Sequence, residues 1–165
     1  MYVVFVELDR CIACLSCEKA CLFQQAARNT EASPNIFVRV DLDRRRIYAG
    51  TCLQCETALC LEVCPIKAIT RDPETSAVIV DQKICLGCGM CVSACPFGYM
   101  YLEDSCQKAT KCDLCGGTPK CVQMCMARAL HFGSINSLAE RKRKQTDLRL
   151  SLRAVPNHTG EKNDG

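Results

Sequence analysis

Tryptophan is absent from this sequence, and aromatic side chains are scarce, with five Phe and four Tyr among 165 residues. Fixing each backbone residue costs about 1–2 kcal/mol, so a chain with this little bulky apolar surface needs covalent or coordinate cross-links to stay folded. No basic stretch followed by an apolar one stands before the first cysteine motif, so no secretory signal is expected. Arg44–Arg46 lie too deep in the chain, with no apolar stretch behind them, to read as a twin-arginine export signal. No run approaches the ~18 apolar residues of a membrane span. A soluble protein of the reducing cytoplasm is expected, where thiols serve metals rather than disulfides. A Gly-rich phosphate loop, a nicotinamide fingerprint and a catalytic base beside a nucleophile are missing too, so the chain alone is not expected to be an enzyme.

Cysteine is what the sequence has in excess. Seventeen occur, and sixteen of them fall into four groups of four. The first is Cys11-x2-Cys14-x2-Cys17-x3-Cys21 and the second is Cys52-x2-Cys55-x4-Cys60-x3-Cys64-Pro65. The third, Cys85-x2-Cys88-x2-Cys91-x3-Cys95-Pro96, matches the bacterial run of iron–sulfur ligands letter for letter. The fourth is Cys112-x2-Cys115-x5-Cys121-x3-Cys125. Thiolates at every third residue of a short loop wrap three corners of an iron–sulfur cube, and the fourth corner comes from elsewhere. A disulfide framework fits poorly, since the cysteine total is odd and the i, i+3, i+6 spacing suits a cluster face. Structural zinc uses pairs of C-x2-C knuckles, and the second and fourth runs taken alone could be read that way. Three thiols at three-residue steps followed by Cys-Pro favour iron–sulfur.

In two-cluster ferredoxins the last Cys of each run ligates the other cluster, which makes a pair of runs the folding unit. Between the second and third runs, Ala68-Ile69-Thr70, a turn-rich Asp72–Ser76 and Ala77–Asp81 read as a β-hairpin, so these runs pair. The first and fourth runs then pair around them, flanked by strand-like Val3–Leu8 and Ala129–Phe132. The expected ligand sets are Cys11, Cys14, Cys17 with Cys125; Cys112, Cys115, Cys121 with Cys21; Cys85, Cys88, Cys91 with Cys64; and Cys52, Cys55, Cys60 with Cys95. Four 4Fe-4S clusters in so short a chain must lie in a row. The formal charge of +3 counts thiols as neutral; four cubes, each 2− with its thiolates, bring the loaded chain to about −5.

The order of the runs, the x4 gap between Cys55 and Cys60, and the segments Thr51-Cys52-Leu53-Gln54-Cys55 and Lys111-Cys112-Asp113-Leu114-Cys115 carry a family resemblance. Over roughly residues 3–133 the chain resembles the four-cluster iron–sulfur subunits of dimethyl-sulfoxide-reductase, formate-dehydrogenase, carbon-monoxide-dehydrogenase and hydrogenase complexes. That resemblance implies the same crossed ligation, electron transfer as the function, and a large catalytic oxidoreductase subunit as partner. A short Cys115–Cys121 loop and the stretch Ser33–Val40 followed by Arg44–Ile47 look most like the small subunit accompanying tungsten-dependent aldehyde oxidoreductases. A tungsten- or molybdenum-pterin partner is implied, with a flavin or other electron-accepting subunit beyond it. The departures are Leu22 and Met126, which follow Cys21 and Cys125 where Pro often stands. A freely diffusing polyferredoxin, and a cluster-based sensor that moves no electrons in turnover, are the rival readings.

The expected fold is α+β, with one bacterial-ferredoxin-like dicluster unit inserted into another. Residues 1–32 and 104–133 form the outer unit, 33–50 a hairpin insertion and 51–103 the inner unit. Residues 134–155 form a C-terminal helical arm and 156–165 a disordered tail. Ser137 is the expected cap of a helix to Arg153, with Glu140 completing a capping box. The basic block Arg141–Lys144 in it lacks any nucleic-acid fold motif or aromatic platform, so it reads as an arm for a partner subunit. Arg39, Arg44, Arg45 and Arg46 make the inserted hairpin a solvated edge or a docking face. Ile12, Leu15, Leu86 and Met90 should cover cluster faces, His131 should be a strand residue, and Cys106, outside every run, a partly buried small side chain, with a redox-sensing thiol as the rival reading.

Overall fold

A computed structural model describes residues 1–27 and 31–153; the expected disordered tail, 156–165, and the last two residues of the expected arm lie outside them. Strand β1 (Tyr2–Val6) enters a 3-10 turn at Leu8–Arg10 and then the first cysteine run, which continues as α1 (Ser16–Ala26). The strand stops short of the expected Leu8: Glu7 N–H still donates to Ala129 O, but Glu7 O accepts from Arg10 N at 3.0 Å, closing the 3-10 turn over Leu8–Arg10. Next come β2 (Ile36–Asp41), β3 (Arg46–Thr51) and α2 (Leu59–Glu62). After β4 (Ile69–Arg71), β5 (Val78–Val80) and α3 (Met90–Ala94) come β6 (Tyr101–Glu103) and β7 (Lys108–Thr110). Then follow α4 (Lys120–Gln123), β8 (Leu130–Ser134) and α5 (Ile135–Arg153).

The strands pair as four antiparallel ribbons, three of them sequential hairpins. The fourth, β1 with β8, joins sequence-remote segments in the register Val6↔Leu130 to Tyr2↔Ser134. In the β4–β5 turn, Asp72 Oδ1 accepts from Thr75 N at 2.7 Å and Glu74 N at 3.1 Å, the self-closing behaviour that makes Asp a turn residue. The β6–β7 hairpin had no sequence expectation, because each of its strands is only three residues long and carries no period.

Thiols are part of the apolar interior. Val4, Ile36, Leu114 and Leu130 pack in one cluster with Cys21, Cys112 and Cys121, while Ile69, Val78 and Met100 pack in another with Cys91. The result is a mixed α/β protein of short helices and small ribbons in which the cysteine runs fill the place that aromatic side chains hold elsewhere.

Helix α5 begins earlier than expected: Ser134 Oγ accepts from Ser137 N at 3.2 Å, so Ser134 and not Ser137 is the cap. The helix is tied to β1 by Arg141 Nε, which donates to Glu7 Oε1 at 2.7 Å, and by Lys142 above the Phe5 ring. Burial raises the Glu7 carboxyl pKa, but the hydrogen bond from Arg141 and the neighbouring His131 outweigh that and leave it below the ordinary value. His131 sits on β8, with Nε2 3.3 Å from Glu7 Oε1 but off the hydrogen-bonding line. Among the described residues, no helix is long and apolar enough to cross a membrane.

Candidate metal centres

One backbone device recurs in all four runs. The residue just before the second Cys is left-handed each time: Ala13 (φ 53°), Gln54 (51°), Gly87 (68°) and Leu114 (59°). A left-handed residue beside a right-handed one turns successive N–H groups toward one side, making a concave nest for negative charge; in the fourth run Cys115, Gly116 and Gly117 are left-handed as well. At Gly87 the choice of residue is forced, because a Cβ would sit 1.9 Å from the Gln107 carbonyl oxygen. A second left-handed residue follows three positions after the last Cys of three runs, at Lys67, Gly98 and Arg128. There Ala68 N–H donates to Cys64 Sγ at 3.3 Å and Ala129 N–H to Cys125 Sγ at 3.2 Å. The first run lacks this turn. Its Cys21 stays inside α1 and receives its N–H from Asn35 on the inserted hairpin, at 3.2 Å.

These turns draw the thiols together around cavities. Cys52, Cys55, Cys60 and Cys95 border one, Cys64, Cys85, Cys88 and Cys91 a second, and Cys11, Cys14, Cys17 and Cys125 a third. The remaining four are neighbours in the interior. Burial pushes the Cys21 thiol up to about 12, with Cys112 and Cys115 adding to the effect. Cys121 is raised further by burial and then by Cys112, Cys21 and Cys115. Cys17 lies close enough to Cys121, Cys52 to Cys112, and Cys60 to Cys91 to raise the other's thiol, which makes the four groups successive neighbours.

The donor set suits a cube of iron and sulfide better than a lone ion. Thiols border a space with backbone N–H groups around it, and among the described residues no three His, Cys, Asp or Glu side chains converge as one metal ion requires. Metal-free, Cys17 and Cys112 are protonated near neutrality, because burial holds both thiols up at about 11. The positive charge of bound iron must displace those protons. An iron–sulfur cluster bound in such a set supplies one-electron redox chemistry, and the residues around it exclude water and set its charge environment.

Exposure is uneven. Cys14 and Cys88 are open to solvent, whereas Cys21, Cys112 and Cys121 are 7%, 9% and 6% exposed. Ile12, Leu15, Leu86 and Met90 do line the first-run and third-run cavities, but their outer surfaces are exposed, so they rim these sites and do not seal them. Cys106 is exposed on the β6–β7 turn, contrary to the burial expected of it, because a hairpin tip this tight leaves nothing to cover it. Of the hairpin arginines, Arg39 pairs with Glu18 at 3.1 Å and Arg44 with Asp41 at 3.7 Å.

Sequence reasoning missed a buried polar node between the second and fourth runs. Gln54, fully buried, accepts from Val78 N at 2.9 Å and donates through Nε2 to Cys112 O at 2.7 Å. Lys111 Nζ donates to Gln54 Oε1 at 3.2 Å, to Cys112 O at 2.8 Å and to Val78 O. The available signal was a Gln between the first two cysteines of the second run and a Lys directly before the first cysteine of the fourth.

Residues 44–135, which hold the second, third and fourth runs, match the family described as 4Fe-4S dicluster domain. The chain is 36% identical over 152 residues to YsaA of Escherichia coli strain K12, covering 86% of this chain and 96% of that protein. It is 34% identical over 148 residues to the thiosulfate reductase electron transfer subunit PhsB of Salmonella typhi, covering 82% and 77%. It is 34% identical over 122 residues to the polyferredoxin-like subunit of the Pyrococcus furiosus aliphatic sulfonate oxidoreductase, covering 74% and 70%.

Proposed function

Because this chain belongs to the 4Fe-4S dicluster family, we propose that it is the electron-transfer subunit of an oxidoreductase, with four 4Fe-4S clusters as its relay. The observation that carries the reading is the gathering of sixteen thiols into four neighbouring groups, three of them around cavities. We assign the ligands as Cys11, Cys14, Cys17, Cys125; Cys21, Cys112, Cys115, Cys121; Cys52, Cys55, Cys60, Cys95; and Cys64, Cys85, Cys88, Cys91. On that assignment each run lends its last thiol to its partner's site. The pairing of β1 with β8 around everything between them supports the nesting of one dicluster unit inside another.

Substrate chemistry belongs to a partner, since relatives are named as electron-transfer or polyferredoxin-like subunits. A tungsten- or molybdenum-pterin enzyme is the proposed partner class. An aldehyde oxidoreductase is the specific member favoured by the short Cys115–Cys121 loop and the Ser33–Val40 segment. A cytoplasmic site of action, and a flavin or other acceptor beyond the relay, complete the proposal. The end groups of the row, with exposed Cys14 and Cys88, are where electrons would enter and leave.

Anaerobic purification from the native cell tests this. The chain should carry about sixteen irons and co-elute with a larger subunit containing tungsten or molybdenum. Migration alone at about 18 kDa with full iron would instead make it a diffusing polyferredoxin, and zinc in place of iron would end the reading.

A further inference from the structure

Lys111 is a buried cation that the ligand assignment leaves without a task. Its residue is 6% exposed, although an ammonium is among the costliest groups to remove from water. Such a charge ordinarily carries a carboxylate partner, yet the ion pairs of the described residues include none with Lys111. Its three acceptors, Gln54 Oε1, Val78 O and Cys112 O, satisfy its N–H groups but cancel no charge. They also fix its place. Gln54 is pinned from both sides by Val78 N and Cys112 O, so the ammonium is held at the seam between the second and fourth runs. On one side Lys111 lines the cavity of Cys52, Cys55, Cys60 and Cys95; on the other its Nζ lies 2.8 Å from the carbonyl of Cys112. The cavities of the two end groups have no charged side chain in their linings.

We propose that Lys111 is the built-in counter-ion of the two central clusters, raising both of their potentials relative to the end clusters and so setting the energy of the electron's crossing between the two units. The inference rests on the cluster assignment above. A fixed positive charge favours the more negative, reduced form of a neighbouring cluster, and its influence falls with distance, so the two end sites feel it least. No atoms move in the crossing: one site is oxidised by one electron and its neighbour is reduced by one. It is a positioning and tuning residue, outside the ligand sets.

The test is a redox titration of the anaerobic holoprotein followed by electron paramagnetic resonance, with iron counted in every sample. Lys111→Met keeps the length and apolar stem but removes the charge; it should move two of the four clusters to more negative potential and leave two in place. Lys111→Arg should leave all four near their wild-type positions. A Lys111→Met protein in which all four clusters move alike, or none moves, overturns the proposal. Where Lys111→Met fails to load iron, full loading by Lys111→Arg supports the counter-ion role, and failure of both variants assigns Lys111 to packing and overturns it. A wild-type iron count far below sixteen would instead sink the cluster assignment, a result read before any variant is compared.

Discussion

The first and third runs share one spacing and one backbone turn, yet they end differently and are built from different residues. In the third run the two left-handed positions are Gly87 and Gly89; in the first they are Ala13 and Leu15. An L-residue in that conformation costs about 1–2 kcal/mol, so the first run holds strain that the third avoids. At the other end, Pro96 follows Cys95 and α3 stops after five residues, whereas Leu22 follows Cys21 and α1 continues for eleven. Cys95 is consequently extended, while Cys21 is helical, buried and dependent on Asn35 for its N–H. The spacing sets a three-thiol face, while the backbone after the last Cys, a continuing helix in the first run and a turn in the third, decides where the fourth thiol is delivered and how deep it lies.

The largest effect that would sharpen this contrast is the pH response of the metal-free chain. Burial raises Cys17 to about 11 and Cys21 to about 12 from an ordinary 9.0. A group whose folded pKa lies above its unfolded value stabilises the fold fully below the unfolded pKa and loses that contribution as pH rises through the folded one. Circular dichroism should therefore show the metal-free protein losing stability between pH 9 and about 12. The iron-loaded protein, whose thiols are already deprotonated, should show no such drop in that window. Cys21→Ser should shrink the drop, since it removes one of the raised thiols.

Next in size is Leu22→Pro, which makes the first run end like the third. Proline here removes a helical N–H and should cost about 3 kcal/mol in denaturant unfolding of the loaded protein. Unchanged stability would mean that the helix beyond Cys21 contributes nothing. Gly87→Ala attacks the third run's advantage. Left-handed strain and the 1.9 Å approach of the Gln107 carbonyl together should cost about 2–3 kcal/mol in the same measurement. Ala13→Gly has the opposite sign and is the smallest: relief of strain at φ 53° should raise stability by up to about 1 kcal/mol.

Much of the fold was legible where the signal is local. The hairpins β2–β3 and β4–β5 follow from strand-like runs separated by turn residues, and β8 from a short apolar stretch after the fourth run. The β6–β7 hairpin was not legible, because three-residue strands leave no period to read. Ser137 was mistaken for a cap because Ser134, three residues earlier, offers the same chemistry, and pairing of β8 with β1 decides which of the two the helix uses. Cys106 was expected to be partly buried from the general habit of free thiols, but its position on an exposed turn overrides that habit. The rim residues Ile12 and Leu86 were placed correctly against their cavities but not in exposure, since apolar character cannot tell which face of a side chain the rest of the molecule covers.

By itself the sequence determined that sixteen cysteines fall into four short runs, each opening with two thiols three residues apart, a spacing that lets neighbouring thiols face one centre. Tertiary structure alone decided how deep each group lies and which charge sits beside it. Gln54 meets Cys112 from 58 positions away, and Lys111 meets Val78 from 33. Burial and electrostatic environment are sums over neighbours brought together by folding, and no local spacing encodes them.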